Sequence, residues 1–160
     1  MLIRPAHADD AAAIWSIIGP IIRAGETYTL DPMMSETDAL AYWMGPDKET
    51  FVAEDKGIVL GTYYIRVNQA GGGKHVCNCG YMTGEAATGR GVARSMCEHS
   101  LHYARTRGFR AMQFNFVVRT NGRAVRLWQS LGFAIVGTLP LAFEHPKHGF
   151  VDAFVMFQAL

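Results

Sequence analysis

Hydrophobic residues along this chain alternate between helical spacing and short strand-like runs. Isoleucines recur at helical spacing after Asp9 and Asp10, either of which suits a helix N-cap, and Gly19–Pro20 is expected to bend or break that helix. The predicted helices span about 10–22, 35–43, 89–107 and 121–131, and the predicted strands about 2–4, 50–54, 58–65, 75–83, 111–118, 134–137 and 151–157. Strands interleaved with helices predict an α/β or α+β fold.

The composition is that of a compact, soluble protein. The chain has 160 residues, of which 49% are hydrophobic and 18% charged, so it is too apolar for disorder and long enough for one domain over 1–160. No apolar run approaches the roughly 18 residues that a membrane-spanning helix needs. The three cysteines cannot all pair, and we expect a cytoplasmic location.

The net charge of +1 hides an uneven distribution of charge. Residues 1–50 carry a net charge of −5, whereas residues 90–126 carry +7, and every base in the second stretch is arginine. The planar guanidinium suits phosphate, so this stretch is a candidate anion-binding region. An ordinary solvated surface is the alternative explanation.

The segment Tyr81–Arg94 carries the strongest local signal. A strand ends, a loop of small residues follows, and a helix begins on alternating Gly89 and Gly91. Small residues let backbone N–H groups approach an anion, and a helix N-terminus adds free donors and a positive dipole end. The pattern therefore indicates a pyrophosphate site. It lacks the Gly-Lys-Ser/Thr of a P-loop and the βαβ context of a dinucleotide fingerprint.

Two motifs in this chain resemble those of the GNAT (GCN5-related) N-acetyltransferases. Thr88–Ala93 is similar to the family's acyl-CoA loop, Gln/Arg-x-x-Gly-x-Gly/Ala, with Thr88 where Gln or Arg is usual. Asn121–Phe133 is similar to the family's Asn-x-x-Ala-x-x-Leu/Phe-Tyr-x-x-x-Gly-Phe, with Trp128 in place of the tyrosine. The order of strands and helices fits the family along nearly the whole chain.

The resemblance implies an α+β GNAT fold whose central sheet is mixed, mostly antiparallel, flanked by about four helices and splayed between strands 4 and 5. It also implies that acetyl-CoA is the co-substrate and lies in the splay, with Asn121 near its thiol. On this basis Tyr81, Met82 and Thr83 offer backbone groups to the pantetheine and the thioester carbonyl. The residues expected to hold the pyrophosphate are Thr88, Gly89, Arg90, Gly91, Val92, Ala93 and Arg94.

Acetyl transfer needs a neutral amine, donors for the developing oxyanion and departure of the thiolate. A backbone N–H of Met82 or Thr83 is expected to polarise the carbonyl. Trp128 has no acidic proton to give, so we expect no tyrosine general acid at its position. A thiol pKa of about 8.5 makes unassisted departure tolerable near neutral pH.

On the acceptor side, Ala24–Pro32 is similar to the corresponding loop of phosphinothricin acetyltransferases. Glu26 is therefore a candidate base, with a solvated loop carboxylate as the equal alternative, and Tyr28 a candidate acceptor contact. Asn78 stands where such relatives can carry Glu. Asn115 lies in an apolar strand. We expect its amide either to hydrogen-bond the acceptor's carboxylate or amine as a catalytic residue, or to be a buried amide whose hydrogen bonds are made within the protein. Residues 137–153 resemble the corresponding stretch of enzymes that acetylate azetidine-2-carboxylate. His145 and His148 in this stretch are expected to be ordinary hairpin residues, and a place for either in the acceptor pocket is the alternative.

The predicted function is acetyl transfer to the primary or secondary amine of a small molecule, an amino acid or toxic analogue, by a homodimer. An acyl-CoA-binding module without catalysis, and transfer to a peptide N-terminus or a polyamine, remain open. Nucleic-acid binding ranks last because the arginine-rich stretch has few aromatic residues for stacking. We expect no metal, since His75, Cys77 and Cys79 share one strand face and cannot converge on an ion alone.

Overall fold

The computed structural model describes all residues, 1–160. It contains four α-helices and seven β-strands. The helices are α1 (Ala11–Ala24), α2 (Glu36–Trp43), α3 (Val92–Thr106) and α4 (Gly122–Ser130). The strands are β1 (Leu2–Pro5), β2 (Glu49–Asp55), β3 (Ile58–Val67), β4 (Val76–Thr83), β5 (Ala111–Val118), β6 (Ala134–His145) and β7 (Gly149–Ala159).

The strands form one mixed sheet in the order β1-β2-β3-β4-β5-β7-β6. Every neighbouring pair is antiparallel except β4 and β5, which are parallel. These two strands pair only at Val76↔Ala111 and Cys77↔Met112, and then diverge. The sheet is therefore open over most of the length of β4, which confirms the predicted splay and the predicted GNAT fold.

Each face of the sheet carries its own hydrophobic cluster and its own pair of helices. Isoleucines of α1 and Trp43 of α2 pack with Val52, Tyr64 and Met82 of the sheet on one face. α3 and α4 cover the other face. Side chains of successive strand residues point to opposite faces, so β4 contributes alternately to both clusters.

Two elements differ from the sequence-based prediction. α1 runs without a break through Pro20, because the residues around the proline are held by packing of Ile17, Ile18 and Ile22 in the core. β6 does not stop at Gly137 but continues through Pro140 to His145. β6 is the edge strand of the sheet, where a proline need not supply a ladder hydrogen bond, and a register irregularity between Leu139 and Phe143 absorbs it.

The helix starts are stabilised in different ways. Ser35 caps α2, since its hydroxyl accepts from the Asp38 N–H at 3.1 Å. Asp10 makes no capping bond to α1; its carboxylate accepts from Arg4 at 2.8 and 2.9 Å and from the His7 N–H at 2.7 Å. None of the helices combines the length and apolarity that crossing a bilayer requires.

Candidate active site

The divergence of β4 and β5 opens a cavity of about 650 Å³ that passes between the two faces of the sheet. This volume is in the usual range for small-molecule sites. Its walls come from the α1–α2 connection, β3, β4, the start of α3, β5 and α4. The cavity therefore lies where β4 and β5 are not hydrogen-bonded to each other. Its walls expose backbone N–H and C=O groups that would be paired in a continuous sheet.

The register of β4 decides which of its backbone groups face the cavity. Gly84 N–H donates to Leu60 at 2.9 Å and the Val76 carbonyl accepts from Asn68 at 2.9 Å, so even-numbered residues of β4 turn their polar groups toward β3. Tyr81 and Thr83 therefore turn theirs into the splay. The Met82 N–H faces β3, so of the two backbone donors expected from the sequence only that of Thr83 is turned toward the splay.

Residues 88–94, which we call the glycine loop, lead from the end of β4 into the first turn of α3 and include free N–H groups at the start of that helix. Gly89 and Gly91 have φ values of +80° and +76°, and an added Cβ on either would meet nothing within 4 Å. The first helical N–H groups of α3, on Val92, Ala93 and Arg94, have no partner earlier in the loop, because the first loop-to-helix bond is Ser95 N–H to Gly91. The space in front of these donors suits an anion.

The two arginines of the glycine loop are placed differently. Arg94 lines the cavity and donates to the Ser130 hydroxyl at 2.8 Å, with Glu98 at 3.6 Å. Arg90 does not line the cavity: its N–H donates to Ala87 at 3.1 Å and its guanidinium lies 3.2 Å from Asp55. Arg94 thus stands in the cavity wall, whereas Arg90 is outside it.

Four side-chain amides, which we call the amide cluster, lie where the splay begins, on the α1–α2 face. Asn78 donates to the Gln113 carbonyl at 2.9 Å across the gap between the strands. Asn115 donates to Asn68 at 2.7 Å and accepts from the Gln113 amide at 3.0 Å. Asn115 is therefore a satisfied amide that ties β5 to the end of β3, and both Asn78 and Asn115 line the cavity.

Three groups in the cavity wall, Tyr28, Tyr81 and Cys79, are protonated at neutral pH. Tyr28 donates its hydroxyl to the Tyr81 carbonyl at 2.8 Å, and burial raises its pKa. Tyr81 shares a 2.7 Å hydrogen bond with Ser100, and burial raises its pKa well above the ordinary value. Burial likewise raises the pKa of Cys79 well above that of a free thiol. None of the three is poised to act as a base or nucleophile.

Glu26 stands beside the cavity rather than in its wall. Its carboxylate lies 2.8 Å from the Lys147 ammonium at the tip of the β6–β7 hairpin. The hydrogen bond from Lys147 lowers the Glu26 pKa, so the group is ionised at neutral pH. The next residues, Thr27 and Tyr28, do line the cavity.

Trp128 fills the position of the family tyrosine as a packing residue. It is 8% exposed, lines the cavity and lies with its ring centroid 5.0 Å from Tyr81 and 5.3 Å from Phe114. Its neighbour in the motif, Asn121, caps α4 by accepting from the Ala124 N–H at 3.4 Å and also lines the cavity.

The cavity gathers most of the residues singled out from the sequence and adds others. Glu26, Met82 and Arg90 are not in its wall, for the reasons given above. Sequence reasoning missed Tyr64, Arg66 and Arg123. The Tyr64 ring lies against Gly80, where an added Cβ would meet it at 2.7 Å. A glycine in one strand opposite an aromatic residue in the next was therefore the sequence signal that could have identified Tyr64. The predicted residues in the wall are Tyr28, Asn78, Tyr81, Thr83, Thr88, Gly89, Gly91, Val92, Ala93, Arg94, Asn115 and Asn121.

These features fit an acyl-CoA. The glycine loop leaves open space where a pyrophosphate would lie, and the free edge of β4 offers the Tyr81 and Thr83 groups to the amides of a pantetheine arm. The structure contains no group of three or more His, Cys, Asp or Glu residues that could hold a metal ion.

Comparisons with known proteins agree with this geometry. The model of the Acetyltransferase (GNAT) family matches residues 20–133. N-acetyltransferase aca1 of Schizosaccharomyces pombe is 29% identical over 151 residues, 84% of this chain and 72% of the relative. The solved GCN5-related N-acetyltransferase of Kribbella flavida is 45% identical with a TM-score of 0.94, covering 99% of this chain and 97% of the other.

A more distant structure shares the fold. The phosphinothricin acetyltransferase (Pat) of Sinorhizobium meliloti, solved in complex with AcCoA, is 21% identical with a TM-score of 0.86, covering 99% of this chain and 88% of the other. The match of the family model over most of the chain shows the family. The chain belongs to the GNAT family and is an acyl-CoA-dependent N-acetyltransferase that uses acetyl-CoA.

Proposed function

We propose that this enzyme transfers the acetyl group to the amine of a small molecule, an amino acid or a toxic amino-acid analogue. The observation that carries the proposal is the shared cavity: Gly89, Gly91 and Arg94 of the glycine loop, and Asn78 and Asn115 of the amide cluster, line one continuous space. A donor held at the loop would place its acetyl end beside the amides. The phosphinothricin acetyltransferase among the structural neighbours supports an amino-acid-like acceptor.

The amine attacks the donor directly, with both substrates bound. Cys79 is the only thiol in the cavity wall, and its raised pKa keeps it protonated, so it offers no thiolate for a covalent acetyl-enzyme. Holding the amine and the thioester carbon in one cavity supplies the orientation that the reaction needs. The C–N bond forms as the C–S bond breaks, and CoA leaves as its thiolate.

The chain's own groups stabilise the developing charges. The Thr83 N–H, turned into the splay, donates to the oxyanion of the thioester carbonyl. Removing one such donor costs an enzyme about 10²–10³ in kcat, which gives the scale of its contribution. Trp128, at the position of the family tyrosine, has no acidic proton to give, and the low basicity of the thiolate lets it leave unaided.

Glu26 is proposed as the acceptor of the ammonium proton, through water, because it is ionised and precedes the wall residues Thr27 and Tyr28. Tyr28, Asn78 and Asn115 are proposed to contact the acceptor. Asn115 would orient the amine through the amide cluster that already fixes its rotamer.

We also propose that residues 1–160 form one domain that works as a cytoplasmic homodimer. All three cysteines are free and buried, as suits a reducing compartment. Exposed apolar residues of the edge strand β6, among them Val136 and Leu141, offer a surface for a second copy. Light scattering after gel filtration tests the dimer.

The test of the acceptor class is an initial-rate assay of free-thiol release from acetyl-CoA. The panel is the common amino acids, phosphinothricin, methionine sulfoximine, azetidine-2-carboxylate, spermidine and a short peptide, with products identified by mass spectrometry. Turnover with a small amino acid or analogue is expected. Turnover only with spermidine or the peptide would show that the acceptor is a polyamine or a peptide N-terminus and not an amino acid. Acetyl-CoA binding without turnover would indicate a module that has lost catalysis.

A further inference from the structure

Arg66 is the one charged side chain in the cavity wall that belongs to neither the glycine loop nor α4. It stands near the end of β3, opposite Asn78 in the register and on the same face as Tyr64. Its Nε atom is buried and has no hydrogen-bond partner. Its only ion pair is a long one, 3.5 Å from Nη1 to Asp47.

The charge around Arg66 is not balanced by the protein. Asp47 is 56% exposed and already holds Lys48 at 2.9 Å, so one carboxylate serves two cations. The Lys48 side chain is only 4% exposed and lies over the Tyr42 ring at 4.4 Å. No Asp, Glu or His lines the cavity, whose charged residues are Arg66, Arg94 and Arg123. This wall therefore favours an anion and repels a second cation.

The neighbouring amides cannot supply the missing partner. The Asn78 amide N–H donates to Gln113, and Asn115 is engaged on both sides by Asn68 and Gln113. Their bonds fix the wall, while Arg66, another wall residue, keeps a buried Nε–H without a protein partner. A buried donor without a partner is costly, and a ligand oxygen would satisfy it.

Resting on the proposed function, we infer that Arg66 binds the carboxylate of the acceptor. The edge of a guanidinium formed by Nε–H and Nη–H matches a carboxylate with two parallel, charge-assisted hydrogen bonds. The acceptor is then a free amino or imino acid, and amines that lack the acid are excluded. The glycine loop binds the donor on the other face, so the two anionic parts of the ternary complex occupy separate cationic sites.

The test compares free amino acids with their carboxamides as acceptors, using the same assay of thiol release. For the wild type, kcat/KM for the acid should exceed that for its amide by about 100-fold or more, as expected where a site pairs a substrate group. Arg66→Gln should raise the KM for the acid at least about 30-fold while leaving the amide rate and the KM for acetyl-CoA unchanged. Arg66→Lys, which keeps the charge but not the fork, should recover only part of the loss.

Arg105→Gln, an exposed change on α3, is the matched control and should change neither KM. Equal rates with the acid and the amide in the wild type would overturn the inference. So would an Arg66→Gln variant whose rates with the acid and the amide fall equally, or one that no longer binds acetyl-CoA. If no amine is turned over, the thermal shift of the CoA-bound protein with each amino acid distinguishes failure of the carboxylate site from failure of the proposed reaction. A stabilisation by acids that is lost in Arg66→Gln upholds the carboxylate site although the proposed reaction fails, and no stabilisation by any acid overturns the site.

Discussion

At the residue scale, the glycine loop depends on two positions in the left-handed region. Gly89 and Gly91, at φ +80° and +76°, have a conformation that favours glycine, and they directly precede the free N–H groups at the start of α3. Gly108 at the end of α3 has the same kind of conformation, φ +83°, with the same open surroundings, but it is not in the cavity wall. Substituting each glycine in turn therefore distinguishes the effect of backbone strain on stability from the effect on ligand binding.

Gly89→Ala should weaken acetyl-CoA binding about tenfold or more, because the strain shifts the loop and the new Cβ stands in the space kept for the ligand. Gly108→Ala should cost a similar free energy of unfolding, about 1 kcal/mol, without changing affinity. Calorimetric titration with acetyl-CoA and urea unfolding measure the two effects. An unchanged affinity in Gly89→Ala would remove the loop from the donor site.

Trp128 is argued to pack rather than to transfer a proton. Trp128→Phe should keep kcat within about threefold, whereas loss of a general acid typically costs about 10²–10⁴-fold. Steady-state rates with saturating substrates measure this, and thermal unfolding checks that the variant is folded. A loss of 100-fold in a stable variant would give the indole a direct part in the chemistry.

At the element scale, the β6–β7 hairpin reaches back over the α1–α2 connection through the Lys147–Glu26 ion pair, 2.8 Å long. Lys147 lowers the Glu26 pKa. If Glu26 takes the proton from the acceptor, the acid limb of kcat/KM reports this lowered pKa.

Lys147→Met should therefore move the acid limb to higher pH, because Glu26 then protonates more readily and must be ionised to act. Lys74→Met, at an exposed lysine without an ion pair, is the control and should leave the limb in place. Glu26→Gln should lower kcat/KM by about 10² or more. If the acid limb of kcat/KM does not move in Lys147→Met and Glu26→Gln keeps full activity, the role of Glu26 is limited to anchoring the hairpin.

A second electrostatic link joins β1 to the start of α1. The hydrogen bonds from Arg4 lower the Asp10 pKa from 3.8 to about 2, and the carboxylate is largely buried. A lowered carboxyl pKa contributes stability that is present above about pH 4 and is lost as pH falls toward 2. Asp10→Asn should thus lower the free energy of unfolding by about 1–2 kcal/mol at pH 6.

The difference between Asp10→Asn and wild type should close as the pH approaches 2, as measured by urea unfolding over a pH series. Asp9→Asn changes an exposed residue without an ion pair and should behave like the wild type. A pH-independent difference would attribute the effect to packing instead of charge.

At the scale of the whole molecule, the reaction site is a missing piece of sheet. The glycine loop and Asn121 could be singled out from local motifs, since each motif spans only a few consecutive residues. Arg66 could not be found this way, because its role depends on the register that sets β3 against β4 and brings it opposite Asn78. The length of β6 was missed for a similar reason: Pro140 is tolerated because the strand lies at the sheet edge.

The arrangement of the two substrates in one cavity is the central claim, and a crystal structure with acetyl-CoA tests it most directly. The account predicts the pyrophosphate against the N–H groups of Val92, Ala93 and Arg94, and the thioester oxygen within hydrogen-bond distance of the Thr83 N–H. The acetyl group should face the amide cluster and Arg66. A pyrophosphate bound elsewhere, or an acetyl group directed away from Asn78 and Asn115, would contradict the account.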